Sequence, residues 1–164
     1  MSHFKWLAGT STGAILALAL ARGDSLRLCQ GLYLRLKDDI FKGKKPYSDK
    51  TIEYFLQSHF GNSLSMAQIE SRRVMVTATS VKKTTPELKL YRNYSLPLDR
   101  KQNEALGYMD PKHSLVWKCA RYSSAAPTFF TPKDDLVDGG LMSNNPTLDL
   151  LTDIHTYNAA CQYS

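Results

Sequence analysis

Residues 6–18 constrain the fold and the chemistry more than any other stretch of the sequence. A short apolar run ends in Gly-Thr-Ser-Thr-Gly at positions 9–13, and an Ala- and Leu-rich run follows. This order predicts a strand, a sharp turn and a helix, which is the arrangement of a nucleophile elbow with Ser11 at its apex. We expect glycine at Gly9 and Gly13 because a Cβ atom at either position would collide with the strand or the helix.

The composition favours one globular domain over residues 1–164. A chain of 164 residues with 43% hydrophobic and 22% charged residues is long enough for one core and too short for two. The net charge of +6 is compatible with attraction to anionic surfaces, either nucleic-acid phosphates or acidic lipid headgroups, but charge alone favours a basic protein without such a partner. The longest apolar run, residues 14–21, is far shorter than the roughly 20 residues that span a bilayer.

The cysteines indicate a reducing compartment. Cys29, Cys119 and Cys161 are odd in number and widely spaced, and no Cys-x-x-Cys occurs. Neither a disulfide framework nor a zinc site is predicted. Because no secretory signal is visible, we expect a cytoplasmic protein that touches membranes at their surface and does not cross them.

Hydrophobic periodicity predicts strands that alternate with helices. The alternation favours an α/β sheet with helices on both faces. Residues 96–111 are polar and hold two prolines, so we predict a loop there. In the second helix, Leu28, Leu32, Leu36 and Ile40 are the predicted buried positions. The predicted strands cover residues 4–8, 73–80, 87–91 and 135–137. The predicted helices cover residues 12–21, 26–41, 49–60 (or 51–60), 115–124 and 146–157.

A nucleophilic serine needs a group that accepts its proton. Asp138 follows a short apolar strand and precedes Gly139 and Gly140, so we expect its carboxylate at the carboxyl edge of the sheet, where sites are built. A plain Asp-Gly turn without chemical function fits the same residues. A Ser-His-Asp triad remains an alternative, for which His155 is a candidate base, whereas His59 and His113 lie in polar stretches typical of the surface. The histidines are His3, His59, His113 and His155.

Several motifs, in this order along the chain, resemble those of the patatin-like phospholipases, and among them the catalytic domain of the calcium-independent group VI phospholipases A(2). The resemblance runs from residue 4 to about residue 158. It is carried by Gly-Thr-Ser-Thr-Gly at 9–13, Tyr-Leu-Arg-Leu-Lys-Asp at 33–38, Phe-Lys-Gly-Lys-Lys-Pro-Tyr at 41–47, Arg-Asn-Tyr at 92–94, Ser-Ala-Ala-Pro-Thr-Phe-Phe at 124–130, Asp-Gly-Gly at 138–140 and Leu-Met-Ser-Asn-Asn-Pro-Thr at 141–147.

The resemblance implies a patatin-like three-layer α/β fold with a mostly parallel central sheet. It also implies a serine lipid acyl hydrolase that cleaves phospholipid acyl esters with a Ser-Asp dyad. Ser11 would be the nucleophile, Asp138 the general base, and the backbone N–H of Thr12 an oxyanion-hole donor. Gly9, Gly13, Gly139 and Gly140 would support these residues. No cofactor and no metal ion are implied.

One departure from the family pattern limits this expectation. The family carries an Asp-Gly-Gly-Gly loop before the serine, and its N–H groups complete the oxyanion hole. This sequence starts eight residues before Gly9 and holds no such loop. We therefore expect a partial domain, truncated at its N-terminal strand, without the other oxyanion donors. A catalytically silent fragment that binds lipid or a homologous partner is the alternative.

The expected partners are a phospholipid substrate and a peripheral membrane surface. Lys42, Lys44 and Lys45, with Phe41 and Tyr47 beside them, could contact headgroup phosphate, and a solvated loop fits the same residues. No nucleic-acid-binding module is present in the sequence, so we expect no nucleic acid partner. A homo-oligomer or an association with a homologue stays open.

Two further motifs are expected to support the site and not to contact substrate. Residues 124–127 are predicted to end a helix and pack beneath Ser11. Asn144 and Asn145 are predicted to brace the turn at Asp138 and to cap the last helix.

Overall fold

The four predicted strands and five predicted helices are present and follow one another in the predicted order. The computed structural model describes residues 3–163, with residue 163 lacking a described side chain. The strands are β1 (Trp6–Gly9), β2 (Arg73–Ser80), β3 (Glu87–Arg92) and β4 (Leu136–Asp138). The α-helices are α1 (Thr12–Arg22), α2 (Leu26–Arg35), α3 (Asp49–Phe60), α4 (Arg100–Ala105), α5 (Val116–Ser123) and α6 (Thr147–Tyr163).

The sheet is mixed, which corrects the expectation of a mostly parallel one. Strand β1 pairs with β2 in parallel, whereas β3 and β4 each pair with β2 in antiparallel orientation. A parallel pair needs a crossover of a dozen or more residues, and only residues 81–86 connect β2 to β3. Those two strands therefore form a hairpin. The expected α/β architecture is retained around the parallel pair of β1 and β2.

Helices cover both faces of the sheet. Leu7 of β1 and Val74 and Val76 of β2 join the core that α1, α3 and α5 contribute to. The neighbouring residue Trp6 points to the other face, because successive side chains of a strand alternate. There it packs against Tyr157 of α6, with the two ring centroids 5.4 Å apart.

Helix α1 is buried and ends where the sequence predicts a break. Gly23 adopts a left-handed conformation with φ 109°, and its N–H bonds to the helix carbonyls, which is a common helix stop. Ser25 then caps α2 by accepting a hydrogen bond from the Leu28 N–H. No helix within residues 3–163 has the length and apolar content needed to cross a membrane.

The buried face of the second helix differs from the predicted one by one residue. Leu28 is 44% exposed, whereas Cys29 is buried together with Leu32, Leu36 and Ile40. A strict spacing of four residues drifts around a helix that has about 3.6 residues per turn, so the first core position shifts to Cys29. The last turn, Leu36–Ile40, is a π-helix.

A short helix lies in the stretch predicted as a loop. Helix α4 begins with a capping box: the Asp99 side chain accepts from the Gln102 N–H at 2.8 Å, and the Gln102 side chain accepts from the Asp99 N–H at 3.1 Å. This Asp-x-x-Gln spacing is the signal that sequence reasoning missed. Helix α6 also continues to residue 163, six residues beyond its predicted end.

Candidate active site

Ser11 occupies a strained turn between β1 and α1. Its backbone has φ 58° and ψ −128°, a conformation that non-glycine residues rarely adopt. A Cβ atom on Gly9 would lie 2.3 Å from the carbonyl oxygen of Gly13, so Gly9 is required for strand and helix to approach each other. The predicted elbow geometry is therefore present.

Strands β1 and β4 pair with the same edge of β2, and both end near the middle of that strand. Gly9, the last residue of β1, pairs with Val76. Asp138, the last residue of β4, pairs with Ala78 from the opposite direction. Strand β3 occupies the other side of β2, so β1 and β4 share one side and leave only Thr77 between their ends. This topology brings together two sequence segments that are more than a hundred residues apart.

The hydroxyl of Ser11 and the carboxylate of Asp138 are in direct contact. Ser11 Oγ donates a hydrogen bond of 2.6 Å to Asp138 Oδ2. The other carboxylate oxygen, Oδ1, accepts from the Gly140 N–H at 2.7 Å. Both carboxylate oxygens are thus held, and Oδ2 is aimed at the serine.

Burial raises the pKa of Asp138 above the usual range of an aspartate, and the hydrogen bonds from Ser11 and Gly140 only partly offset this effect. The residue is 6% exposed, and no cationic side chain bonds to it within residues 3–163. A carboxylate that is less stabilised as an anion is a stronger proton acceptor. The environment therefore makes Asp138 more basic than a solvated aspartate.

Buried hydroxyl groups fix the positions of both strand ends. The Thr10 and Thr77 hydroxyl oxygens are 2.8 Å apart, and Thr10 Oγ1 also donates to the Ser143 carbonyl at 2.8 Å. Thr79 Oγ1 donates to the Asp138 carbonyl at 3.0 Å. Thr77 and Thr79 are fully buried on β2, and sequence reasoning did not select them. Two threonines that alternate with apolar residues in a predicted buried strand need hydrogen-bond partners, and this pattern could have identified them.

A serine of α5 binds the backbone of the elbow. The Ser11 N–H donates a 2.9 Å hydrogen bond to Ser123 Oγ, so this N–H is already occupied. The Gly13 N–H bonds to the Thr10 carbonyl at 2.9 Å within the turn. In the described part of the chain, none of the hydrogen bonds uses the Thr12 N–H. Thr12 therefore keeps a free donor at the positive end of α1.

The glycines differ in how strictly the structure requires them. A Cβ atom on Gly139 would lie 2.1 Å from the Thr77 hydroxyl, and one on Gly140 would lie 3.0 Å from Asp138 Oδ1. An added Cβ on Gly13 meets no atom within 4 Å in the described chain, which corrects the expected collision there. The close approach is made by the Gly13 carbonyl, so Gly9 alone carries the steric requirement of the elbow.

All four histidines lie within residues 3–163. None of them hydrogen-bonds to Ser11 or Asp138. The His59 side chain is 8% exposed and lies 2.9 Å from Asp24 and 3.1 Å from Arg22, which corrects its expected place at the surface. Burial, together with the Arg22 charge, lowers the pKa of His59. The other three are exposed: His3, His113 and His155.

An apolar cavity opens beside the nucleophile. It has a volume of about 170 Å³, and Ser11 and Thr12 belong to its lining. Its remaining walls come from Ile15, Leu36, Phe41, Ile52, Ser124, Ala126, Phe129 and Phe130. Within residues 3–163, no three His, Cys, Asp or Glu side chains group as metal ligands do.

The segment 124–127 lies beside the site, and two of its residues line the cavity, which was not predicted. Ser124 and Ala126 line the cavity with Ser11. The Ala125 carbonyl accepts a 3.0 Å hydrogen bond from the Asp138 N–H, which ties β4 to the end of α5. The segment thus binds the backbone of Asp138 and shares a cavity with Ser11.

The two asparagines also have the predicted contacts. Asn145 Oδ1 accepts from the Thr147 N–H at 3.2 Å and caps α6. Asn144 Oδ1 lies 3.4 Å from the position that a Cβ atom on Gly140 would take, so Asn144 lies against the Asp138 turn.

Comparisons with known proteins return one family model and several phospholipases. The family model of patatin-like phospholipases matches residues 1–151. The 85/88 kDa calcium-independent phospholipase A2 of Mus musculus is 43% identical over 161 residues, covering 94% of this chain and 20% of that protein. The intracellular phospholipase A2 of Caenorhabditis elegans is 40% identical, covering 99% of this chain and 15% of that protein.

A bacterial relative is more distant. The cGAMP-activated phospholipase of Escherichia coli (strain TW11681) is 27% identical over 163 residues, covering 88% of this chain and 42% of that protein. The chain thus spans about a fifth of the length of the mouse relative and less than half of the bacterial one.

Proposed function

Because the chain belongs to the patatin-like phospholipase family, we propose that it hydrolyses the acyl esters of phospholipids, with Ser11 as nucleophile and Asp138 as general base. The 2.6 Å hydrogen bond from Ser11 Oγ to Asp138 Oδ2 carries the proposal. A carboxylate in this position can accept the serine proton without an intervening imidazole.

In the first half of the reaction, Ser11 Oγ attacks the ester carbonyl carbon while its proton moves to Asp138 Oδ2. The carbonyl oxygen becomes an oxyanion in the tetrahedral intermediate. The bond to the lysophospholipid oxygen then breaks, and that oxygen takes the proton from Asp138. The acyl group remains as an ester on Ser11.

In the second half, water attacks the acyl carbon and gives one proton to Asp138 Oδ2. The second tetrahedral intermediate releases the fatty acid when the bond to Ser11 Oγ breaks. Ser11 Oγ recovers its proton from Asp138, which restores the starting hydrogen bond. No net proton is left on the enzyme, so one carboxylate can serve both steps.

The Thr12 N–H supports stabilisation of the oxyanion. It is a free donor in the first turn of α1, beside Ser11, and the helix dipole adds positive potential there. The cavity of about 170 Å³ beside Ser11 offers the apolar surface that the first methylene groups of an acyl chain require. We propose that the chain works as a peripheral protein on a membrane surface in the cytoplasm, where such substrates are presented.

The test is fatty-acid release from phosphatidylcholine vesicles. Ser11→Ala should lower the rate by at least about 10³ relative to the unsubstituted chain. Ser58→Ala, an exposed serine of α3, is the matched control and should leave the rate unchanged. Hydrolysis that survives Ser11→Ala would overturn the proposal. Vesicle binding without any Ser11-dependent hydrolysis would favour the alternative of a silent lipid-binding chain.

A further inference from the structure

The segment after the π-helix carries three exposed lysines. Residues 42–45, here called the lysine loop, hold Lys42, Lys44 and Lys45, all with exposed side chains. Among the described residues, no carboxylate pairs with any of the three, whereas Lys83, Lys89 and Lys133 each bond to a glutamate. The lysine loop is therefore a patch of uncompensated positive charge.

Aromatic residues anchor the lysine loop at the cavity beside Ser11. Phe41 precedes the loop and Tyr47 follows it, with their ring centroids 5.5 Å apart. The Tyr47 N–H donates a 2.7 Å hydrogen bond to the Phe129 carbonyl, and the Tyr47 and Phe129 rings are 5.8 Å apart. Phe41 and Phe129 are walls of the cavity, so the lysines project from its rim.

One lysine is stacked on that wall. Lys45 Nζ lies 3.7 Å from the ring centroid of Phe129, within the range of a cation–π contact. Phe41, Tyr47 and Phe129 are only partly buried, so apolar rings and ammonium groups are both accessible at the rim. Rings of this kind settle at the bilayer interface while lysine stems extend toward the headgroups.

We propose that the lysine loop binds the phosphate groups of anionic phospholipids in a bilayer, next to the cavity that would receive the acyl chain. This inference rests on the proposed function, since it names the surface on which that site works. Residues 37–45 hold four lysines and two aspartates, so the segment stays positive even with Asp38 and Asp39 included. Basic side chains near an anionic membrane surface contribute about 1 kcal/mol each.

The combination of ammonium groups and aromatic rings at the cavity rim fits a bilayer better than a free phosphate ion. A free ion would engage only the ammonium groups, and the partly exposed rings of Phe41, Tyr47 and Phe129 would stay in water. A bilayer satisfies both features because it offers phosphates at its surface and apolar chains beneath.

The experiment is sedimentation with vesicles, in which every chain carries Ser11→Ala so that lipid is not consumed. The vesicles contain phosphatidylcholine alone or with phosphatidylglycerol. Lys42→Gln/Lys44→Gln/Lys45→Gln should weaken binding to the anionic vesicles by about 100-fold, since each charge contributes about a fivefold factor. The matched control replaces three exposed, unpaired lysines elsewhere and should change binding much less: Lys82→Gln/Lys101→Gln/Lys112→Gln.

Two further arms decide the result. Replacing the same three lysines by arginine should preserve binding, and thermal unfolding of each variant checks that the fold is intact. Equal loss in the control variant, unchanged binding in the loop variant, or displacement by millimolar inorganic phosphate would overturn the proposal. Because binding is measured without turnover, the lysine-loop proposal can fail while Ser11-dependent hydrolysis is still observed, and the reverse is also possible.

Discussion

Gly139 packs so closely on Thr77 that a Cβ atom on the glycine would lie 2.1 Å from the threonine hydroxyl and 2.6 Å from its carbonyl oxygen. The same hydroxyl is 2.8 Å from that of Thr10, next to the proposed nucleophile. One residue of the central strand thus contacts the neighbours of both Ser11 and Asp138. The distance between the serine and the carboxylate is therefore set by β2, to which both strand ends are joined.

Removing the Thr77 hydroxyl should reduce turnover. Thr77→Val keeps the side-chain volume but loses the contact to Thr10, so Ser11 and Asp138 should align less well. We expect kcat to fall about tenfold with KM nearly unchanged, which corresponds to about 1.4 kcal/mol of transition-state stabilisation. Thr77→Ser retains the hydroxyl and should keep most of the activity. Equal losses in both variants, or a change confined to KM, would contradict a positioning role.

Replacing the carboxylate should separate activity from stability. Asp138→Asn should lower kcat by at least about 10³, because the amide cannot take the proton of Ser11. The pKa of Asp138 is raised in the fold, so the ionised form is disfavoured there relative to the unfolded chain. Asp138→Asn should therefore raise the free energy of unfolding at neutral pH, as measured by chemical denaturation.

The histidines provide controls for that experiment. His113→Ala and His155→Ala remove exposed side chains and should leave both activity and stability unchanged. His59→Ala should also leave kcat nearly unchanged, although it removes a buried contact to Asp24. A histidine variant as inactive as Ser11→Ala would replace the proposed dyad with a triad.

The pH profile should reflect the environment of Asp138. As a base, this residue must be ionised, so kcat/KM should rise with pH through the pKa of Asp138 in the folded, substrate-free protein. Because burial raises that pKa, the acid limb should have its midpoint above the ordinary aspartate value of about 3.9. The linked stability contribution has the opposite sign and decreases as pH rises through the same range. If the midpoint of the acid limb lies at or below the ordinary aspartate pKa, the result would argue against Asp138 as the base.

Calcium should have no effect on turnover. The proposed proton transfers use only Ser11, Asp138 and water, so fatty-acid release should be equal in chelator and in millimolar calcium. Vesicle binding should instead weaken with salt, because it depends on screened charges. Loss of turnover on chelation, recovered by calcium, would show that the proposed steps are incomplete.

The sequence predicted the features of the site that depend on local chemistry. Ser11 lies in a turn whose geometry follows from the neighbouring residues, and Asp138 ends a short apolar strand before two glycines. Both signals are contained in a few consecutive residues, and the structure brings the two side chains into contact. Their catalytic roles remain a proposal.

Features that depend on strand register were not predictable in this way. Thr77 matters because Val76 pairs with Gly9 and Ala78 with Asp138, and no local pattern specifies those pairings. The contact from Ser123 to the Ser11 N–H likewise depends on how α5 packs beside the elbow. The resemblance implied a mostly parallel sheet, and the predicted order of elements could not correct this because it does not fix strand direction.

The most direct test of the central claim is the site of covalent labelling by a fluorophosphonate probe, mapped by peptide mass spectrometry. The account predicts a single adduct on Ser11, formed more slowly by about 10² or more in Asp138→Asn, since the serine then lacks its proton acceptor. It also predicts no adduct on the neighbouring serines Ser123, Ser124 and Ser143. An adduct on another residue, or an undiminished labelling rate in Asp138→Asn, would contradict the account.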